Sequence, residues 1–323
     1  MYDYFMEKIV YQMFILGTGE YLNGALTKGL GGVIYFTRDI ENRNQFKDLI
    51  NSHKKQALIP PFLSIDQEGG RVERTEKIHQ RYLSPRFAYQ KGEEFLKEQT
   101  TNIAHELKDY GINLNFAPCA DVNTNPKNPI IGERAFSNDT NEVIKGVKIV
   151  SKIYEQNGII PCIKHYPGHG DADKDSHLTL PKIDLPFNEM SKIHIKPFKS
   201  AIENGADMIM AAHLHCTCFD KETVPSSLSK NAIGYLRSEL GYKGVVISDD
   251  MVMKGVQDYG SVEAIIMGIN AGLDMFIFRD ADEKTIETID KLVNIVEKDE
   301  DLKRKIIESN ERINRLKIKY GIE

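Results

Sequence analysis

The chain has 323 residues, 41 % apolar and 28 % charged, and its 42 Lys and Arg against 47 Asp and Glu leave a net charge of −5. This is the balance of an ordinary globular protein; it excludes a polybasic nucleic-acid or anionic-membrane binder, and no apolar stretch nears the ~18 residues a membrane span needs. The opening residues Met1-Tyr-Asp-Tyr-Phe-Met-Glu-Lys8 lack a signal-peptide pattern, and the four cysteines Cys119, Cys162, Cys216 and Cys218 are too few for a disulfide scaffold, so a cytoplasmic protein with reduced thiols is expected.

Short, mostly apolar runs recur along the chain at 12–16, 32–36, 61–65, 112–117, 158–163, 207–211, 244–248 and 273–278. Such runs suit parallel strands buried on both faces. The run at 112–117 is the least typical, because Asn113 and Asn115 interrupt it. Helical segments lie between them. Residues 92–109 are rich in Glu, Lys and Leu, all good helix formers. Ile286, Ile289, Val293 and Val296 fall on one helix face, as do Leu302, Ile306, Ile313 and Leu316 in a last helix at about 300–318 that stops near Gly321. No Pro/Gly/Ser-rich linker and no short repeat divides the chain. Eight strand–helix alternations predict an α/β fold, a single (β/α)8 barrel over residues 1–323, with an open doubly wound sheet as the competitor.

In a (β/α)8 barrel the chemistry sits after the C-terminal ends of the strands. The unusual residues fall there. Asp66-Gln-Glu-Gly-Gly-Arg71 follows the third run, and Asp121 and Arg134 follow the fourth. Lys164-His165-Tyr-Pro-Gly-His169-Gly-Asp171, continuing to Asp175-Ser-His177, follows the fifth; His213-Leu-His215 follows the sixth and Asp249-Asp250 the seventh. Five of the nine histidines lie in two of these segments. Asp249, at the end of a buried strand, suits a nucleophile, base or metal ligand, whereas Asp250 suits a helix N-cap before Met251. Asp175 can orient His177 and raise its pKa, which suits a proton donor near neutral pH; read in isolation, the pair is an exposed loop. Lys164, His165, Asp66 and Arg134 supply alternating donors and acceptors of the kind sugar hydroxyls need, although each alone reads as a core histidine or surface ion pair. His213, His215, Cys216 and Cys218 invite a zinc site, but they come from one short segment and alternate between two faces. His213 is expected on the pocket floor, and no metal is assigned. No Gly-rich phosphate loop opens a helix, and no Gly-x-Ser-x-Gly elbow occurs.

The motifs Lys164-His-Tyr-Pro-Gly-His-Gly-Asp171 with Asp175-Ser-His177, Ile65-Asp-Gln-Glu-Gly-Gly-Arg-Val72, Phe116-Ala-Pro to Arg134-Ala-Phe136 and Val246-Ile-Ser-Asp-Asp250 resemble those of glycoside hydrolase family 3, in its β-N-acetylglucosaminidase branch. The likeness runs from about Glu7 to about Asp274 and is nearest to the single-domain cytoplasmic enzymes of peptidoglycan recycling. It implies a (β/α)8 barrel and a retaining, two-step hydrolysis that releases terminal β-linked N-acetylglucosamine from a carbohydrate substrate, with peptidoglycan or muropeptide fragments as the expected source. By motif position Asp249 is the nucleophile, His177 with Asp175 the acid/base, and Lys164, His165, Asp66 and Arg134 hold the sugar. Asp121 and His213 carry over as pocket residues. The scheme varies the usual two-carboxylate arrangement and needs no metal or cofactor. Tyr166 stands where the branch commonly has Phe, the chain ends after one barrel without the second domain of many members, and the Cys216–Cys218 stretch has no recognised counterpart.

Three other readings compete. A metal-dependent hydrolase would use His165, His169, Asp171, His177, His213 and His215 and lose activity to a chelator. A non-catalytic sugar-binding barrel is disfavoured by the presence of Asp249, Asp175 and His177 together. Phosphate in place of water as acceptor would yield a sugar phosphate. Oligomeric state and the natural aglycone are not encoded in any motif.

Overall fold

The computed structural model describes residues 2–172 and 180–322. Ten strands occur among them: β1 (Phe14–Leu16), β2 (Gly32–Tyr35), β3 (Phe62–Ile65), β4 (Leu114–Asn115), β5 (Ile160–Tyr166), β6 (Lys182–Ile183), β7 (Met208–Ala211), β8 (His215–Cys216), β9 (Val245–Asp250) and β10 (Met275–Phe278). The helices are α1 (Tyr2–Tyr11), α2 (Leu22–Thr27), α3 (Arg43–Gln56), α4 (Pro85–Gln90), α5 (Glu93–Tyr110), α6 (Thr140–Gln156), α7 (Phe187–Ile193), α8 (Lys196–Glu203), α9 (Lys230–Gly234), α10 (Lys254–Gln257), α11 (Ser261–Ala271), α12 (Glu283–Val296) and α13 (Glu300–Lys319).

Eight strands close into an all-parallel barrel in the order β1-β10-β9-β7-β5-β4-β3-β2, with β1 pairing both β2 and β10. The expected (β/α)8 architecture is therefore present, and the eight apolar runs are its eight strands. Seven of them supply the residues buried on both faces, such as Phe14, Ile15 and Leu16 in β1 and Met275, Phe276 and Ile277 in β10. β4 is different. Only Leu114 and Asn115 pair as strand, and side chains finish the work. Asn113 Oδ1 accepts the Leu63 N–H at 2.8 Å; Asn115 Oδ1 accepts the Gln67 N–H and its Nδ2 donates to the Gln67 carbonyl, each at 2.9 Å. The two asparagines that spoil the apolar run thus stitch β4 to β3 and fix the segment after Asp66.

The helices follow their sequence patterns. α5 ends at Gly111, whose φ of 86° is the left-handed C-cap conformation glycine adopts freely. α6 and α12 start on Asp139 and Asp282, whose carboxylates accept N–H groups of the first turn. Leu302, Ile306, Ile313 and Leu316 of α13 are buried. A small second sheet, β6 with β8, joins the segments that follow β5 and β7. No described helix is long and apolar enough to cross a membrane.

Two strands reach further than the apolar runs suggest. β5 runs on to Tyr166, pairing it with Ala211, and β9 runs to Asp250, pairing it with Ile277. Lys164, His165 and Asp249 therefore lie within strands and not in loops, at the points where the register to β7 and to β10 shifts.

Candidate active site

The C-terminal mouth of the barrel holds a cavity of about 450 Å³. Asp66 at the end of β3, Arg134 from the segment after β4, Lys164 and His165 of β5 and Asp249 of β9 all line it, together with Arg74, His169 and Arg279. Five of the nine residues singled out from the sequence thus meet in one place. Asp175 and His177 lie outside the described residues.

The floor is a buried charge network. Lys164 is 2 % exposed, and its Nζ lies 2.9 Å from Asp66 Oδ1 and 2.6 Å from Glu68 Oε1. Glu68 also takes a two-pronged contact from Arg134, Nε to Oε2 at 2.9 Å and Nη2 to Oε1 at 2.8 Å. A planar guanidinium suits this fork. Burial alone would raise the Glu68 carboxyl, but Arg134 and Lys164 hold it far below the usual carboxylate range. Burial pulls Lys164 down, and Asp66 and Glu68 more than restore it. Both therefore stay charged. Glu68 is not a residue that the sequence pattern alone points to. A signal is present nonetheless: two cations expected in one pocket, Lys164 and Arg134, need a shared buried counter-ion, and Glu68 lies two residues from Asp66.

Asp121 is fully buried behind the cavity wall. Its Oδ2 takes His165 Nδ1–H at 2.7 Å and its Oδ1 takes the His169 backbone N–H at 2.6 Å. His165 Nε2 faces Arg134 Nη2 at 3.3 Å. Arginine only donates, so both contacts are satisfied when Nδ1 carries a proton toward Asp121 and Nε2 accepts from Arg134. Asp121 is thus placed to orient His165 from behind, where the sequence suggested a residue of the pocket surface. His213 likewise stands outside the cavity lining: its Nδ1 meets Ser227 Oγ at 2.7 Å.

Asp249 is half-buried and faces the cavity. Burial pushes its carboxyl up, but the His165 and His213 rings, the Asp250 N–H and the Lys164 ammonium more than offset that and keep it below the usual range. The Asp250 N–H donates to Asp249 Oδ1 at 2.7 Å, which fixes the side chain. Asp250 is not a helix N-cap, as its sequence position suggests. It ends β9, pairs with Arg279 and accepts the Val252 N–H at 3.1 Å, and α10 begins only at Lys254. Parallel pairing with β10 extends the strand through it and leaves no helix start there.

The histidine–cysteine cluster does not assemble a metal-ligand set. His213 Nδ1 meets Ser227 Oγ while its Nε2 has no hydrogen-bond partner among the described residues, and His215 Nε2 meets the Asp220 carbonyl at 2.9 Å. Among the described residues, the group whose ligating atoms lie within 4.8 Å of one another is Cys119, Asp121 and His165. These already engage each other, since the Cys119 thiol donates to Asp121 Oδ2 at 3.1 Å.

Residues 18–316 match the model of the glycosyl hydrolase family 3 N terminal domain. The chain belongs to glycosyl hydrolase family 3. Among its relatives, the beta-hexosaminidase of Photobacterium profundum is 37 % identical over 294 residues, covering 88 % of this chain and 85 % of that protein. Beta-hexosaminidase A of Pseudoalteromonas piscicida is 34 % identical over 269 residues, 76 % of this chain but only 45 % of that protein. A family 3 beta-N-acetylglucosaminidase from Paenibacillus sp. str. FPU-7 superposes with a TM-score of 0.92 at 31 % identity, covering 98 % of this chain and 62 % of that one. This family 3 chain therefore spans the greater part of some relatives and about half of another.

Proposed function

We propose that this family 3 member is a retaining exo-β-N-acetylglucosaminidase acting on carbohydrate chains that end in β-linked N-acetylglucosamine. The observation that carries the reading is the placement of an ionised Asp249, fixed at a strand end, in a cavity that Asp66, Lys164, His165 and Arg134 also line. The names of the relatives, beta-hexosaminidase and beta-N-acetylglucosaminidase, point the same way.

In the proposed reaction an Asp249 oxygen attacks C1 of the bound sugar. The C1–O bond to the leaving group breaks as that oxygen takes a proton from His177, and a covalent glycosyl–aspartate forms. Asp175 orients His177 for this step. His177, now neutral, then takes a proton from a water that attacks C1, and the sugar leaves with Asp249 restored. A neutral imidazole places no second negative charge beside the nucleophile. Lys164, Asp66, Arg134 and His165 bind sugar hydroxyls, and their mutual ion pairs pre-set the donors before substrate arrives. No step requires a metal or cofactor. A single barrel in the cytoplasm, working on peptidoglycan or muropeptide fragments, is the setting proposed from the motifs.

The test is release of nitrophenol from 4-nitrophenyl N-acetyl-β-glucosaminide against the matching glucoside. Turnover of the acetamido sugar with little on the glucoside is expected, and the Asp249→Asn variant should keep its fold and lose at least about 10³-fold in kcat, as removal of a nucleophile does elsewhere. No turnover of either sugar by the folded protein overturns the reading. N-acetylglucosamine 1-phosphate formed on adding phosphate would identify a phosphorolytic enzyme, and loss of activity to a chelator would favour the metal-dependent alternative.

A further inference from the structure

A second cleft, of about 530 Å³, opens at the opposite end of the barrel, between α1, α13 and the residues that lead into β1 and β3. Its walls are mainly apolar, with Phe5, Ile9, Ile59, Ile307 and Ile318 among them. Phe5 is 50 % and Ile318 64 % exposed, which leaves large apolar side chains facing water at its rim. The floor carries a charge. Lys317 of α13 is only 5 % exposed, yet among the described residues no carboxylate or hydrogen-bond acceptor meets its ammonium; the group stands 5.3 Å from the centre of the Phe62 ring. The other cation in the wall, Lys8, adds repulsion. Burial first, and Lys8 second, draw Lys317 down to about 7. The other ionisable side chain of the cleft, Glu311, is exposed and forms no ion pair with Lys317.

Interior lysines without a counter-ion are costly, and a buried charge ordinarily keeps a partner. An aromatic face offsets part of this cost. An anion on Lys317 with an apolar body along the isoleucines would meet both features of the cleft, the unpaired cation and the uncovered apolar wall. We propose that this cleft is a binding site for an amphipathic monocarboxylate with a medium-length aliphatic body, its carboxylate on Lys317 and its chain against Ile9, Ile59, Ile307 and Ile318. The site lies at the N-terminal ends of the strands, so its ligand does not compete with a sugar beside Asp249. The proposal stands independently of the hydrolase reading.

Titration calorimetry on the full chain tests it, with octanoate as the probe, octanamide as its neutral isostere and butyrate as the short-chain acid. Octanoate should bind at least tenfold more tightly than either. In Lys317→Met the preference for octanoate over octanamide should vanish, while Ile307→Glu, at an exposed wall position, should weaken octanoate at least tenfold. Nitrophenyl N-acetyl-β-glucosaminide turnover should be the same in Lys317→Met as in the parent chain. No heat from octanoate at millimolar concentration, equal binding of octanoate and octanamide, or undiminished octanoate binding by Lys317→Met would each overturn the proposal.

Discussion

At the residue scale the site is governed by one carboxylate. Glu68 neutralises Lys164 and Arg134 together, and both cations are largely removed from water. Replacing Glu68 by Gln keeps the shape and removes the charge, leaving Arg134 without its carboxylate and Lys164 with Asp66 alone. Urea denaturation should show a loss of about 3 kcal/mol, the scale for breaking a buried pair from one side, and KM should rise because Lys164 and Arg134 are no longer held. The same group sets acid stability. Despite burial, Arg134 and Lys164 hold Glu68 far below its ordinary range, and the His165 and His169 groups do the same for Asp121. A carboxyl depressed in the folded state stabilises the fold fully above its unfolded value, about 4, and this contribution is lost as the pH falls through the folded value. Stability of the parent chain should therefore decline steeply below about pH 4, and the decline should be shallower in Glu68→Gln, as circular dichroism melts across pH would report.

At the scale of elements, the segment after β5 is positioned by backbone contact. The Gly170 backbone packs so closely on the segment after β4 that a Cβ there would lie 1.8 Å from the Val122 carbonyl oxygen. Asn128 Nδ2 holds the His169 carbonyl at 2.8 Å and Asp121 holds the His169 N–H. Gly170→Ala should force these segments apart, lower melting stability by about 1–3 kcal/mol and reduce kcat/KM on the nitrophenyl substrate at least tenfold. Gly234→Ala is the contrast. That glycine ends the short helix α9 with nothing within 4 Å of the added methyl, so the variant should be neutral or stabilised by up to about 1 kcal/mol. Equal losses in the two variants would mean that close approach is not what fixes the segment. The strands carry a related lesson. A hydropathy pattern ends β5 at Ile163 and β9 at Ser248 because polar residues follow, but pairing resumes beyond a register shift, at Tyr166 with Ala211 and at Asp250 with Ile277, and so carries both strands past Lys164, His165 and Asp249.

For the whole molecule, the barrel is locked to its last helix through Asp274, a fully buried residue just before β10. Asp274 Oδ2 takes Arg237 Nη2 at 2.5 Å and the Val246 N–H at 2.8 Å, while Oδ1 takes Arg312 Nε of α13 at 2.8 Å. Asp274→Asn should cost about 3 kcal/mol in urea denaturation, yet leave kcat of the folded fraction unchanged, because this network lies at the end of the barrel away from Asp249. A comparable fall in kcat would show that closure by α13 is coupled to the cavity.

Sequence by itself determined the strands, the barrel and five of the residues that line the cavity at its mouth. Strands buried on both faces must be apolar throughout, so they stand out without an alignment. Site residues cluster at strand ends, so Asp66, Arg134, Lys164, His165 and Asp249 could be named before their contacts were known. Tertiary structure decided how those residues are arranged. Glu68, Arg134 and Lys164 come from three separate segments, and an ion pair between them depends on distance in space, which local composition does not carry. The same holds for Asp121, whose place behind His165 and not on the cavity surface follows from how the segment after β4 packs on β5. It holds also for Lys317, an unremarkable helix lysine in sequence, which only the packing of α13 beneath the barrel buries against Phe62, with no counter-ion among the described residues.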